Sequence, residues 1–136
     1  MAIAFSLAFA LFSIPALAAG NVSVTIDGEA VVFADQAPVI VDGRTLVPVA
    51  AVFHAIDFVS QWDAETRQVT LTRGQDEVII VIDNNVFTTN AVSHTLDVPA
   101  QIIGGSTMLP IRAVLESVGY NLTWDEATRT VIIITN

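Results

Sequence analysis

Two histidines, fourteen carboxylates, five arginines and one tyrosine are the side chains from which this 136-residue chain could build a reactive centre; it contains no cysteine. His54 and His94 are the imidazoles available to a metal. They fall in different predicted elements, without the i, i+4 or alternate-residue spacing that brings two ligands to one ion, and read as a helix-surface histidine and a strand or loop histidine. The acid pairs that could hydrolyse a glycosidic bond are Asp63 with Glu65, Asp76 with Glu77, and Asp125 with Glu126. A glycosidase sets its carboxylates facing each other across a cleft, whereas each of these pairs occupies a predicted hairpin turn. Asp83, Asn84 and Asn85 gather hard oxygen donors suited to calcium, but lack the alternating acids and distal glutamate of an EF-hand loop, and read as a turn. Without cysteine there is no thiolate nucleophile, thiolate metal site or disulfide. No nucleophile, base and orienting group converge. The sequence therefore predicts no enzyme activity and no catalytic, cofactor-binding or metal-binding residue.

The elements that must carry these residues are written twice. Gly43, Thr45, Pro48, Ala51, Val52, Trp62, Asp63, Thr66, Arg67 and Val69 each recur after the same interval, which takes Gly43 to Gly105 and Trp62 to Trp124. Such self-similarity marks two copies of one structural unit, at about 38–72 and 100–134. Each copy opens with a hairpin: Val39-Ile40-Val41, Asp42-Gly43 and Thr45-Leu46-Val47, or Ile102-Ile103, Gly104-Gly105 and Thr107-Met108-Leu109. Asp-Gly and Gly-Gly supply the positive φ of tight turns. Pro48 and Pro110 then suit the first turn of a helix, where a missing N–H costs nothing. Val49, Val52, Phe53 and Ile56 fall at i, i+3, i+4 and i+7, as do Ile111, Val114, Leu115 and Val118, giving each short helix one apolar face. The outer faces differ, with Ala50 and His54 in one copy and Arg112 and Glu116 in the other. Arg112 and Glu116 are spaced to pair along the helix, and Asp125 is a longer-range alternative partner. Gly119 ends the second helix as a left-handed cap and Asp57 takes that place in the first. An aromatic strand, an Asx-turn on Asp63 or Asp125, and a returning strand complete each copy. Trp62, Trp124, Phe53 and Tyr120 are expected in the core.

An opening hairpin alternates through Val22, Val24 and Ile26, turns at Asp27-Gly28 and returns through residues 30–33. Between the copies, Val78 to Ile82 is apolar on both faces, as in a central strand covered from both sides. The last strand, Val131-Ile132-Ile133-Ile134, also lacks alternation. It is expected either inside the core or, through Ile132 and Ile134, at a dimer or docking surface. The expected fold class is α+β: an antiparallel sheet of hairpins packed on two short helices in two pseudo-repeated hairpin-helix-hairpin units.

Residues 1–18 are nearly all apolar, and Ala16-Leu17-Ala18 has the small-x-small form of a signal-peptidase site. The expectation is a signal peptide cleaved after Ala18. No basic residue precedes the apolar run, so the alternatives are a start upstream of Met1 or an uncleaved anchor. Residues 19–136 form one domain, large enough for a core without staples. The formal net charge is -9, and the basic residues are all arginine. Such a surface argues against nucleic acid and anionic lipid as partners.

The doubled Gly-x-Thr-Leu/Met-Val/Leu-Pro, helix and Trp-Asp pattern, from about Val22 to Thr135, resembles the copper amine oxidase N-terminal domain-like, or stalk-domain, family. The resemblance implies an antiparallel sheet twisted around helix in a secreted or cell-surface module of the bacterial envelope. The family arginine after Val-Pro-x is present as Arg112 but is Ala50 in the first copy, and the helix glutamate is Glu116 but His54. Copper amine oxidase chemistry needs three histidine ligands and a tyrosine-derived quinone, which in that family belong to a separate domain. Tyr120 aligns with Phe58 and reads as a packing aromatic. The expected function is a non-catalytic, secreted or surface-exposed stalk, spacer or interaction module whose partner is unknown. The alternatives are a module binding envelope glycan or peptide, and an accessory subunit of an extracellular enzyme.

Overall fold

A computed structural model describes residues 21–135; the predicted signal peptide lies outside them. The chain is α+β, with antiparallel hairpins dominating over two short helices. Its strands are β1 (Ser23–Ile26), β2 (Glu29–Ala30), β3 (Val39–Val41), β4 (Arg44–Pro48), β5 (Val59–Asp63), β6 (Gln68–Arg73), β7 (Asp76–Val81), β8 (Val86–Thr89), β9 (Val92–Thr95), β10 (Gln101–Ile103), β11 (Ser106–Pro110), β12 (Asn121–Asp125) and β13 (Thr130–Ile134). Helix α1 covers Val49–Val52, continued by a 3-10 turn at His54–Ile56, and α2 covers Ile111–Ser117.

The strands form three sheets, ordered β9-β8-β7-β6-β5, β10-β11-β4-β3 and β12-β13-β1-β2. The two sequence copies meet in the middle sheet. Leu46 faces Pro110, Pro48 faces Met108, and Val47 lies opposite its own counterpart, Leu109. Corresponding hairpins keep one register: Val39 with Leu46 and Gln101 with Met108, then Val59 with Thr72 and Asn121 with Ile134. Val47 and Leu109 point into the main core while Leu46 and Met108 enter a smaller cluster with Val98 on the other face. Alternation along β4 and β11 requires this division.

The helices bury the predicted residues, Val49, Val52, Phe53 and Ile56 in one, and Ile111, Val114 and Leu115 in the other. Pro48 and Pro110 stand one place earlier than expected. Each is the extended N-cap and last strand residue, with ψ 135° and 117°. Both helical segments end in the same double bond pattern: Phe58 N–H to Phe53 O (3.0 Å) with Asp57 N–H to His54 O (3.0 Å), and Tyr120 N–H to Leu115 O (3.1 Å) with Gly119 N–H to Glu116 O (3.0 Å). That is the Schellman arrangement, whose left-handed residue is Asp57 (φ 69°) or Gly119 (φ 97°).

Three expectations are corrected. Strand β1 pairs with β2 but also runs parallel to β13, so the sheet system is not wholly antiparallel. The return strand of the opening hairpin shrinks to Glu29–Ala30, and Val32 is exposed. Neither apolar strand is covered on both faces: in β7 Val78 and Ile80 are buried while Ile79 and Val81 are half-buried, and in β13 Val131 and Ile133 are buried while Ile134 is exposed. Both edges of β13 are paired, with β12 and β1, so only its Ile132 and Ile134 face is open to a partner.

Candidate functional site

The side chains considered for chemistry are mostly tied into turns. Asp63 Oδ1 accepts the N–H groups of Glu65 (2.9 Å) and Thr66 (3.3 Å), and Asp125 Oδ1 those of Ala127 (3.0 Å) and Thr128 (3.3 Å), so the predicted Asx-turns form. Asp76 accepts from the Asn90 side chain at 3.1 Å. Asp83 faces Arg67 at 3.5 Å and Asn84 Oδ1 accepts Val86 N–H at 2.9 Å. His54 Nε2 lies 2.9 Å from Ser60 Oγ, and His94 stacks on Phe87 with ring centres 5.0 Å apart. No group of three or more potential metal-ligating side chains forms among the described residues. Arg112 does pair with Glu116, at 3.0 Å, rather than with Asp125.

Tyr120 is buried as expected, but its neighbour is a surprise. The Arg73 guanidinium lies over the Phe58 ring at 4.7 Å and the Tyr120 ring at 5.1 Å. It donates to Ile56 O at 3.1 Å and to the Tyr120 hydroxyl. These two aromatics are counterparts in the repeat, so one arginine ties the two copies together. Nothing in the sequence marks Arg73 for this.

Two of the surface grooves are built from corresponding residues. Pro48, Ala50, Ser60, Trp62 and Val69 line the smaller, of about 270 Å³; their counterparts Pro110, Arg112, Leu122, Trp124 and Val131 line the larger, of about 670 Å³. Each groove is closed by the hairpin turn of the opposite copy, Gly105, Ser106 and Thr107 in one case and Gly43, Arg44 and Thr45 in the other. The crossing of β4 and β11 in the middle sheet causes this exchange. Trp62, expected in the core, is 47% exposed and walls its groove, whereas Trp124 is half-buried and packs against the main core while also lining the larger groove.

The grooves differ in charge. Around Trp62 the lining is small and neutral, because Ala50, Ser60 and Ser106 stand where the other copy has Arg112, Leu122 and Arg44. The larger groove holds Arg44, Arg112 and Arg129 with Asp97, Glu116 and Glu126. Arg44 Nε donates to Asp97 Oδ2 at 3.1 Å, Arg112 donates to Glu116, and Trp124 Nε1–H donates to Glu126 at 2.8 Å. Arg112 also reaches Leu122 O at 3.4 Å, on the outer edge of β12. Arg129 lies over the Trp124 ring at 5.9 Å. The repeat made Trp62 and Trp124 visible in the sequence, but not that Trp62 would lie at the surface while Trp124 packs on the core.

Such a scaffold, two related hairpin-helix units with the ordinary turn chemistry of β-structure and paired aromatic grooves, defines a compact α+β domain. The chain is a member of the copper amine oxidase N-terminal domain family, whose pattern matches residues 25–133. That domain is a non-catalytic part of the amine oxidases. No curated protein matches the chain.

Proposed function

We propose that the chain is a non-catalytic, secreted or cell-surface interaction module of the bacterial envelope, using its two tryptophan grooves to hold a wall component. The observation that carries this reading is the placement of Trp62 and Trp124. A spacer has no need of exposed aromatics, whereas an indole lining a groove, half open to solvent at Trp62 and partly exposed at Trp124, offers a large apolar area with a polar handle, as contact residues commonly do. The family membership supports a role without chemistry of its own, and the apolar segment ending in Ala16-Leu17-Ala18 supports export.

Retention of the full chain on purified Gram-positive sacculi over a concentration series tests this. Saturable binding in the micromolar range is expected, with Trp62→Ser weakening it. Retention no better than that of an inert acidic protein would overturn the reading and leave a spacer.

A further inference from the structure

We infer that the larger groove takes an extended peptide by its carboxylate, held by Arg129 beside Trp124 along the open edge of β12. This rests on the reading of the grooves as contact sites. The charge pattern supplies the sign of the ligand. Each acid lining the groove already has a donor of the groove itself: Asp97 has Arg44, Glu116 has Arg112, and Glu126 has the Trp124 indole. Of the arginines, Arg44, Arg67, Arg73 and Arg112 each face a carboxylate, and Arg129 alone does not among the described residues. Its counterpart Arg67 meets Asp83, whereas Arg129 gives only its Nε–H, at 3.4 Å, to Asn21 O. Among the described residues, the Nη edge of its guanidinium, a planar fork matched to a carboxylate, meets no acceptor. In a chain of net charge -9, an anion needs such a local cation to offset the general repulsion.

The backbone supplies the ligand class. Among the described residues, strand β12 pairs only with β13, so its other edge carries no strand. Arg112 reaches Leu122 O from the groove, so the Leu122 main chain faces that way, and by the two-residue period the Trp124 main chain does too. The Leu122 carbonyl is taken by Arg112; the strand groups left at Trp124 can be satisfied by another extended polypeptide. The volume of about 670 Å³ suits a few residues.

The test uses the full chain and three acetylated alanine-valine pentapeptides: one with a free C-terminal carboxylate, its carboxamide, and a carboxamide with an internal aspartate. Amide and indole NMR shifts are followed in the parent chain and in Arg129→Gln and Arg67→Gln. The free acid or the aspartate peptide should bind about tenfold more tightly than the plain carboxamide, shifting resonances of β12 and the Trp124 indole. Which acid wins tells a chain terminus from an acidic side chain. Arg129→Gln should abolish the preference and Arg67→Gln should keep it. Equal affinity for acid and carboxamide in the parent chain, an outcome independent of how any variant folds, would overturn the proposal. So would shifts confined to the Trp62 groove, or binding of an oligogalacturonate in place of the peptides. Sacculus retention with no acid preference removes this inference alone, while loss of both removes the function reading as well.

Discussion

Single residues in this fold hold more than their own element. Arg73 stacks on both Phe58 and Tyr120 and bonds Ile56 O, and its side chain is one-third exposed. Partly desolvated cation–π contacts contribute about 0.5–2 kcal/mol each, and the carbonyl bond left unmade adds to the loss. Arg73→Met keeps most of the apolar volume and should cost about 1–3 kcal/mol in chemical denaturation. An unchanged midpoint would mean that the aromatic pair holds the two copies without it. Asp27 makes a different kind of tie. Its carboxylate accepts from the Thr135 hydroxyl and from Thr135 N–H at 3.0 Å, and these bonds, the hydroxyl first, hold its pKa below the usual carboxylate value. Because the folded pKa is the lower one, the stabilisation is fully present above the unfolded value of about 3.9 and is lost as pH falls through the folded one. Asp27→Asn, which tolerates the left-handed backbone there (φ 51°), should lower the urea midpoint at neutral pH. The gap from the parent should close as pH falls below the ordinary carboxylate range. A gap independent of pH would show that the charge contributes nothing.

At the scale of elements, the two helix ends make an internal comparison. The same pair of Schellman bonds closes both, but the left-handed position holds Asp57 in one and Gly119 in the other. A side chain there costs about 1 kcal/mol, and no hydrogen bond of the Asp57 side chain to the described residues offsets it. Asp57→Gly should therefore raise stability by about 0.5–1 kcal/mol, less the entropy glycine loses on folding, and Gly119→Asp should lower it by at least as much; thermal midpoints of the two variants check the signs. Much of this was legible. Asp42-Gly43 and Gly104-Gly105 announced their turns, and Val52, Phe53, Val114 and Leu115 announced the buried helix faces through local spacing alone. Trp62 departs from the core for a physical reason: an aromatic next to Asp in a hairpin looks the same whether its face meets the core, as Trp124 does in part, or a groove. That choice is made by the crossing of β4 and β11, which brings together residues of different copies. Arg129 was equally silent, since whether an arginine finds a carboxylate depends on the neighbouring loops.

The whole molecule is closed by a contact that no local pattern encodes. Strand β1 alternates as a half-buried strand should, yet alternation says which residues face inward and not which strand lies alongside. Its partner is β13, in parallel, with Val24 beside Val131 and Ile26 beside Ile133. Parallel pairing needs a crossover, and here that crossover is almost the entire domain, since Thr135 and Asp27 bond across 108 residues. Forming it late is expected, because loop closure must precede any gain from such a distant pairing. Its energetic weight is nonetheless global, as Val22 and Val24 are 5% and 1% exposed in the main core with Val131 and Ile133. Ser23 N–H donates to Arg129 O at 2.9 Å and Asp27 N–H to Ile133 O at 2.9 Å, bracketing the pair. Ser23→Pro deletes the first bond and leaves the Arg129 carbonyl unmatched, a loss of about 1–3 kcal/mol, while Ser23→Ala at the same exposed position should change little. If β1 belongs to the cooperative unit, amide exchange in the proline variant will accelerate alike at Asp27, Val131, Leu71 and Leu115, by the factor that the lost global stability dictates. Acceleration confined to residues 23–30, with Leu71 and Leu115 unmoved, would make β1 a separately opening flap. It would also loosen the Arg129 end of the larger groove without unfolding the rest.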